Sequence, residues 1–223
     1  AIDAARLSWE KWKKLTGKER STLIRNWHNL IIENIDDLAL IMTLENGKPL
    51  NDSKGEITYA SWFTEWFSEE AKRTYGKTIP STIQGRRIVT IKQPVGVCGI
   101  ITPWNFPAAM ITRKVAPALA AGCPVVIKPA GSTPFTASAL VELASRAGIP
   151  KGVVNLISVS EKDVSNVGEE LCSNIHVRKI SFTGSTNVGK ILMAKTAGTV
   201  KRVSMELGGH APFIVFDDAD INE

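Results

Sequence analysis

Cysteine and histidine are scarce, with three of each in 223 residues. Cys98, Cys123 and Cys172 form an odd set at wide spacing, which argues against a disulfide framework and suits a reducing interior. With no CxxC pair and the histidines far apart, no ligand set for a metal is expected. Cys98 and Cys123 stand in apolar stretches flanked by glycine, where nothing electropositive favours a thiolate, so the three thiols read as inert fillers. Long hydrophobic runs are missing too. No stretch approaches the roughly 20 apolar residues that cross a bilayer, and the amino-terminal region carries charge and tryptophan instead of a signal-peptide core. No Arg-rich, acid-poor transit peptide is present either, but the chain opens on Ala1 in mid-pattern, which leaves a removed leader open. There is no internal repeat and no low-complexity tract.

What is present suits a globular chain. Hydrophobic residues make up 43% and charged residues 22%, enough for a sizeable core in one large or two modest domains. The formal charge of +5 is spread along the sequence without a basic stripe interleaved with aromatics, so neither nucleic acid nor membrane is an expected partner.

Residues 1–76 read as a helical segment. Leu23, Ile24, Trp27, Leu30 and Ile31 recur at helical spacing, as do Leu38, Ile41 and Met42 before Gly47 and Pro49. A third helix is expected to start on a Ser53/Glu56 capping box and to bury Ile57, Ala60, Phe63, Phe67 and Ala71. Residues 77–94 change character: Pro80, Gly85 and the β-branched run at 88–91 suggest an extended arm or hairpin.

From residue 95 to 223 short β-rich runs alternate with helical stretches. Strands are expected at 95–102, 124–128, 153–158, 178–182 and 202–206, with a sixth at 212–216. Alternation of this kind implies an α/β domain: an open parallel sheet with helices on both faces. Ala147-Gly148-Ile149-Pro150 is a helix stop, Pro107 suits a helix's first turn, and Pro117 inside an apolar pattern predicts a kink or break.

Open parallel sheets bind ligands where strand-to-helix turns converge at the strands' carboxyl ends. Four expected strands run into distinctive turns there. Gly184-Ser185-Thr186-Asn187-Val188-Gly189 follows a strand and opens a helix, where backbone N–H groups can receive a phosphate; a plain N-cap with a packing glycine explains it as well. Lys128 ends a strand and could meet a phosphate or sugar, or simply snorkel to the surface. Asn105, between Trp104 and Phe106 in a Pro-bracketed turn, could donate to an oxyanion or bond its own turn. Glu206, just before Gly208-Gly209, could be a semi-buried general base or one half of a strand-end salt bridge.

The combination decides between these readings. Thr-Pro-Trp-Asn-Phe-Pro at 102–107, Lys-Pro-Ala at 128–130, Phe-Thr-Gly-Ser-Thr-x-x-Gly at 182–189 and Met-Glu-Leu-Gly-Gly at 205–209 resemble the aldehyde dehydrogenase superfamily in order and position. The resemblance covers essentially the whole chain. It implies a Rossmann-like dinucleotide-binding domain over 95–223, an amino-terminal helical segment over 1–76, and a bridging, oligomer-forming arm over 77–94. It also implies a reaction in which a cysteine thiolate adds to the aldehyde, the tetrahedral oxyanion expels hydride to a nicotinamide, and water hydrolyses the thioester. Asn105 then matches an oxyanion donor and Glu206 the general base. Lys128, Pro129, Ala130 and Gly131 match the ribose-holding segment, and Gly184, Ser185, Thr186 and Gly189 match the turn near the pyrophosphate, with Trp104 also near the phosphates.

Two finer expectations follow from the resemblance. Many NAD-specific members carry Glu at the position of Gly131, where a carboxylate bonds the ribose 2′-hydroxyl and repels a 2′-phosphate, so either NAD or NADP is expected here. Residues 108–114, 203–206 and 212–217 are similar to succinate-semialdehyde dehydrogenases, and Arg113 matches a residue that binds the substrate's distal carboxylate in them; a helix-surface arginine is the plainer reading. Other ω-semialdehydes, such as glutarate semialdehyde, carry the same charge. The complete enzyme is expected to be a homodimer or homotetramer, in the mitochondrial matrix if eukaryotic and otherwise in the cytoplasm. The family's nucleophile lies a few dozen residues past Glu-Leu-Gly-Gly in a Gly-Gln-x-Cys context, and none of the three cysteines matches it. The chain by itself is therefore expected to bind dinucleotide poorly and oxidise no aldehyde. The alternative to an enzyme segment is a non-catalytic scaffold that pairs through the arm.

Overall fold

A computed structural model describes residues 1–220. Four helices come first: α1 (Ile2–Trp12), α2 (Gly17–Glu33), α3 (Ile35–Asn46) and α4 (Leu50–Glu70). The capping box belongs to α2, where Thr16 and Glu19 each accept from the other's backbone N–H. At α4 it does not form: the helix begins earlier, after Pro49, and Ser53 bonds Thr43 Oγ1 instead. Glu56 is thereby freed for a distant partner. The predicted apolar face of α4 does form, with Ile57 and Ala60 buried, Phe63 and Phe67 packed against the same core, and Ala71 buried in the 3-10 turn that follows the helix. Trp27 of α2 is 1% exposed, its indole N–H donating to Leu140 O at 3.0 Å.

An antiparallel pair of short strands follows, β1 (Lys77–Pro80) and β2 (Arg87–Thr90), every residue of it exposed. This is the hairpin arm expected from the sequence. The rest is a parallel sheet of β3 (Val97–Ile101), β4 (Val125–Lys128), β5 (Val154–Leu156), β6 (Val177–Thr183) and β7 (Arg202–Glu206), in the order β5-β4-β3-β6-β7. The chain moves outward from β3 to β5, then returns to place β6 on the other side of β3. That reversal is the topological switch point at which doubly wound sheets bind ligands.

Alternation along the strands builds two cores. Cys98, Ile100, Val125 and Ile127 face the cluster made with α2 to α4, α5 (Ala109–Ala120) and α6 (Pro134–Arg146). Val97, Ile101, Val126, Ile180 and Phe182 face a second cluster with α1, α7 (Val164–Ser173) and α8 (Thr186–Ala197). Helices therefore cover both faces, and β3 and β4 are buried throughout, as parallel strands between two layers must be. Each large aliphatic side chain so buried contributes roughly 1.5–3 kcal/mol.

Both helices that feed this sheet edge end alike. Beyond α5 and α6, Gly122 (φ 84°) and Gly148 (φ 88°) take the left-handed conformation that a side chain would oppose. The next residues then bond back, Cys123 N–H to Ala118 O and Ile149 N–H to Ala144 O, which completes a Schellman motif at each end. Of the kink or break expected at Pro117 the break does not occur, since α5 runs through it to Ala120. Residues 212–216 pair with no strand among the described residues, and Phe213 is 92% exposed. Their β-branched and aromatic run has a strand's composition but no ladder partner among the described residues, and composition alone does not make a strand. The last three residues of the expected 95–223 domain lie outside the described residues.

Candidate active site

Parallel register brings the predicted residues to one edge of the sheet. Ile101 pairs with Lys128 and Phe182, Phe182 with Met205, and Thr183 with Glu206. The turns at 102–108, 129–133, 184–185 and 207–209 therefore all leave the sheet at its carboxyl end.

The turn after β3 is held from the α3–α4 corner. Asn46 Nδ2 donates to Trp104 O at 2.9 Å, and Lys48 Nζ donates to Asn105 O at 3.0 Å. Trp104 is 60% exposed and Asn105 exposed, and no described residue takes a hydrogen bond from the Asn105 side-chain amide. The own-turn bond that would have made Asn105 a purely structural residue is thus not formed. Pro107 sits just ahead of α5, where Met110 N–H already reaches Phe106 O.

The β4 turn is built on Lys128, whose 8% exposure rules out a snorkelling surface residue. Its Nζ donates to Pro129 O at 2.9 Å, and burial pushes the amine below its ordinary range. A buried cation with one carbonyl partner is suited to an anionic or polyhydroxyl ligand. Next to it, Pro129, Ala130 and Gly131 line a cleft of about 260 Å³ with Pro134 and residues 158–160. A Cβ at Gly131 would meet only Val159 O, at 3.9 Å, so the backbone leaves room for a side chain that this sequence omits.

Two of the helices that start at this edge, α6 and α8, differ. At α6 the N–H groups of Phe135 and Thr136 are taken by Glu45, at 2.7 and 2.8 Å, so that terminus already holds a carboxylate. At α8 the cap is the Ser185 hydroxyl, which accepts from Val188 N–H, and no acidic residue stands in the first turn. The helix dipole leaves α8 the better host for a phosphate. Gly189 is also a packing glycine, since a Cβ there would come within 2.6 Å of Leu207.

Glu206 closes β7, its carbonyl accepting from Gly184 N–H at 3.1 Å. Among the described residues it is exposed at the end of the edge strand β7, where a semi-buried carboxylate was one of two readings. No described cation lies within salt-bridge distance of it, so the salt-bridge reading is not realised either. Arg113, half-buried on α5, stacks over the Phe63 ring with Cζ 5.7 Å from its centroid. With Lys114, Lys179, Ser181 and Ser204 it lines a cavity of about 440 Å³ under α5. Lys114 is held down to about 8, chiefly by burial and then by Arg113, with Glu206 opposing. The cavity lining includes Cys98 and Cys123; the hydrogen bond between them, then burial, keeps the Cys98 thiol well above its ordinary range, while the same bond holds Cys123 down to about 7.

The description "Aldehyde dehydrogenase family" fits residues 1–223. The chain belongs to the aldehyde dehydrogenase family. A succinate semialdehyde dehydrogenase of Acinetobacter baylyi is 61% identical over 99% of this chain and 45% of its own length. A glutarate-semialdehyde dehydrogenase of Pseudomonas aeruginosa is 60% identical, with 100% of this chain and 45% of its own length covered. Among solved structures, one titled as an Escherichia coli NADP dependent enzyme superposes with a TM-score of 0.92 at 60% identity, over 99% of this chain and 45% of that one. The chain thus spans a little under half the length of the relatives it matches.

Sequence reasoning missed the family member's supporting residues. Glu45, Asn46, Lys48 and Glu56 hold the loops at 104–109 and 134–136, yet their partners lie 52 to 91 positions away. No local pattern could have announced them.

Proposed function

We propose that the chain is the cofactor-binding part of an NAD(P)-dependent dehydrogenase that oxidises succinate semialdehyde to succinate through a cysteine thioester, with the nucleophile supplied from outside these residues. The observation that carries this is the convergence of Asn105, Lys128, the 184–189 turn and Glu206 on one sheet edge, in a chain about 60% identical to semialdehyde dehydrogenases. A bound dinucleotide would supply the hydride acceptor. Lys128, Pro129, Ala130 and Gly131 would hold its ribose, and Gly184, Ser185, Thr186 and Gly189, with Trp104, its phosphates. Gly131 presents no carboxylate to a 2′-phosphate, which favours acceptance of NADP beside NAD. The Asn105 amide would donate to the oxyanion, and Glu206 would take the proton of the deacylating water.

Arg113 supplies a guanidinium to a half-buried cavity wall, which suits a substrate with a distal carboxylate. That chemistry fits glutarate semialdehyde as well, and a relative named for it is as similar as those named for succinate semialdehyde. The test is an assay of the complete protein with both semialdehydes and both dinucleotides, followed by reduced-nicotinamide absorbance. The reading expects turnover with succinate semialdehyde and a rise in KM without Arg113. A complete protein inert toward both aldehydes with either dinucleotide would overturn it, in favour of a scaffold that pairs through the 77–94 arm.

A further inference from the structure

The α3–α4 corner holds a charged group that none of the roles above uses. Lys48 follows the left-handed Gly47 and reaches back under the β3 turn. Its Nζ meets the Glu56 carboxylate, the Asn105 carbonyl at 3.0 Å and the face of the Phe106 ring, 4.3 Å from the centroid. Glu56 divides its two oxygens. Oε2 takes Lys48, while Oε1 accepts from Ala108 N–H at 2.9 Å and Ala109 N–H at 3.3 Å, at the start of α5. One carboxylate with a 1% exposed side chain therefore ties down the far end of the loop directly and its middle, at Asn105, through Lys48.

We infer that Lys48 is a positioning residue for Asn105, held in place by Glu56. This rests on the dehydrogenase reading, in which Asn105 donates to the oxyanion. The side-chain amide of Asn105 has no described protein partner to aim it, so its direction is set by its backbone, and Lys48 fixes that backbone through its carbonyl. Oxyanion stabilisation depends on donors fixed in advance at 2.7–3.1 Å, and a misplacement of about 1 Å can cost on the order of a hundredfold in rate. A Lys–Glu pair that merely braced the fold would affect stability and every kinetic constant alike, with no dependence on Asn105.

The experiment is a mutant cycle in the complete enzyme: Lys48→Met, Lys48→Arg, Glu56→Gln and Asn105→Ala, with Lys48→Met and Glu56→Gln each also combined with Asn105→Ala. For each variant kcat, the KM of aldehyde and dinucleotide, and the melting curve are measured. Lys48→Met should lower kcat by about 10- to 100-fold with the dinucleotide KM within about twofold, and Lys48→Arg should restore most of it. In the Asn105→Ala background Lys48→Met should change kcat by less than about twofold, because its only route to the reaction has been removed. The same fold-loss in both backgrounds, or wild-type kcat in Lys48→Met, overturns the inference while leaving the dehydrogenase reading standing. A wild-type enzyme inert toward semialdehydes overturns both. Should Lys48→Met fail to fold, Glu56→Gln decides, since Gln still accepts from Ala108: a kcat loss that vanishes without Asn105 supports the role, and any other result removes it.

Discussion

The two sides of the switch point are held together differently. On one side β3 and β4 are buried on both faces, and the turns that follow them are stapled from a distance by Glu45, Asn46, Lys48 and Glu56. On the β7 side the strand is largely exposed, and the 184–189 and 206–209 turns are held by backbone pairing and one Ser185 hydroxyl. Beyond them lies an exposed apolar run, Phe213 to Phe216. Among the described residues, side chains from the amino-terminal helices brace the side carrying Asn105 and Lys128, and backbone pairing chiefly holds the side carrying Glu206. Pre-organised donors belong on the first.

The sharpest way to break the contrast is to remove a staple. Glu56→Ala strips a buried carboxylate from Lys48 and from two helix amides, and should cost about 3–5 kcal/mol of stability in urea unfolding. A loss under about 1 kcal/mol would show that the β4 side is no better braced than the β7 side. Next in size is Gly131→Glu, which the open backbone there admits. The new carboxylate should raise the KM for NADP by about 10- to 100-fold and leave that for NAD within about threefold; unchanged NADP kinetics would remove Gly131 from cofactor choice.

Lys114 sharpens the comparison through pH. Burial lowers its folded value to about 8 from an ordinary 10.5, so between those limits the unfolded chain holds more protons than the folded one. Its contribution to stability therefore rises with pH across that window, is fully unfavourable below about 8, and vanishes above 10.5. Lys114→Met should flatten that rise in stability measured against pH; an unaltered profile would mean that the amine is solvated. Smallest is Phe213→Ser in the 223-residue chain by itself, where this exposed side chain should change stability by no more than about 0.5 kcal/mol. A cost above about 2 kcal/mol would mean that the β7 side has a cover of its own.

How much of this was legible in the sequence depended on range. Strand order could not be read, but the parallel sheet, the arm and the Gly148 stop could, because periodicity and turn chemistry act within a few residues. The carboxyl-edge placement of Asn105, Lys128, Ser185 and Glu206 followed from strand ends alone. Among the described residues, what failed were inferences that needed a partner. Residues 212–216 had strand composition without a neighbouring ladder, Glu206 looked semi-buried only if something packed on β7, and Glu56 matched a capping box while its carboxylate bonded residues 52 and 53 positions away. Pro117 was tolerated because α5 stays packed through it, with Ala116 and Leu119 fully buried on either side.

The claim on which the rest depends is that Asn105 donates to a reacting oxygen. It is tested most directly by the turnover of Asn105→Ala in the complete protein with succinate semialdehyde. The account predicts a fall in kcat of about 10²- to 10³-fold with KM little changed; turnover equal to that of the unaltered protein would contradict it.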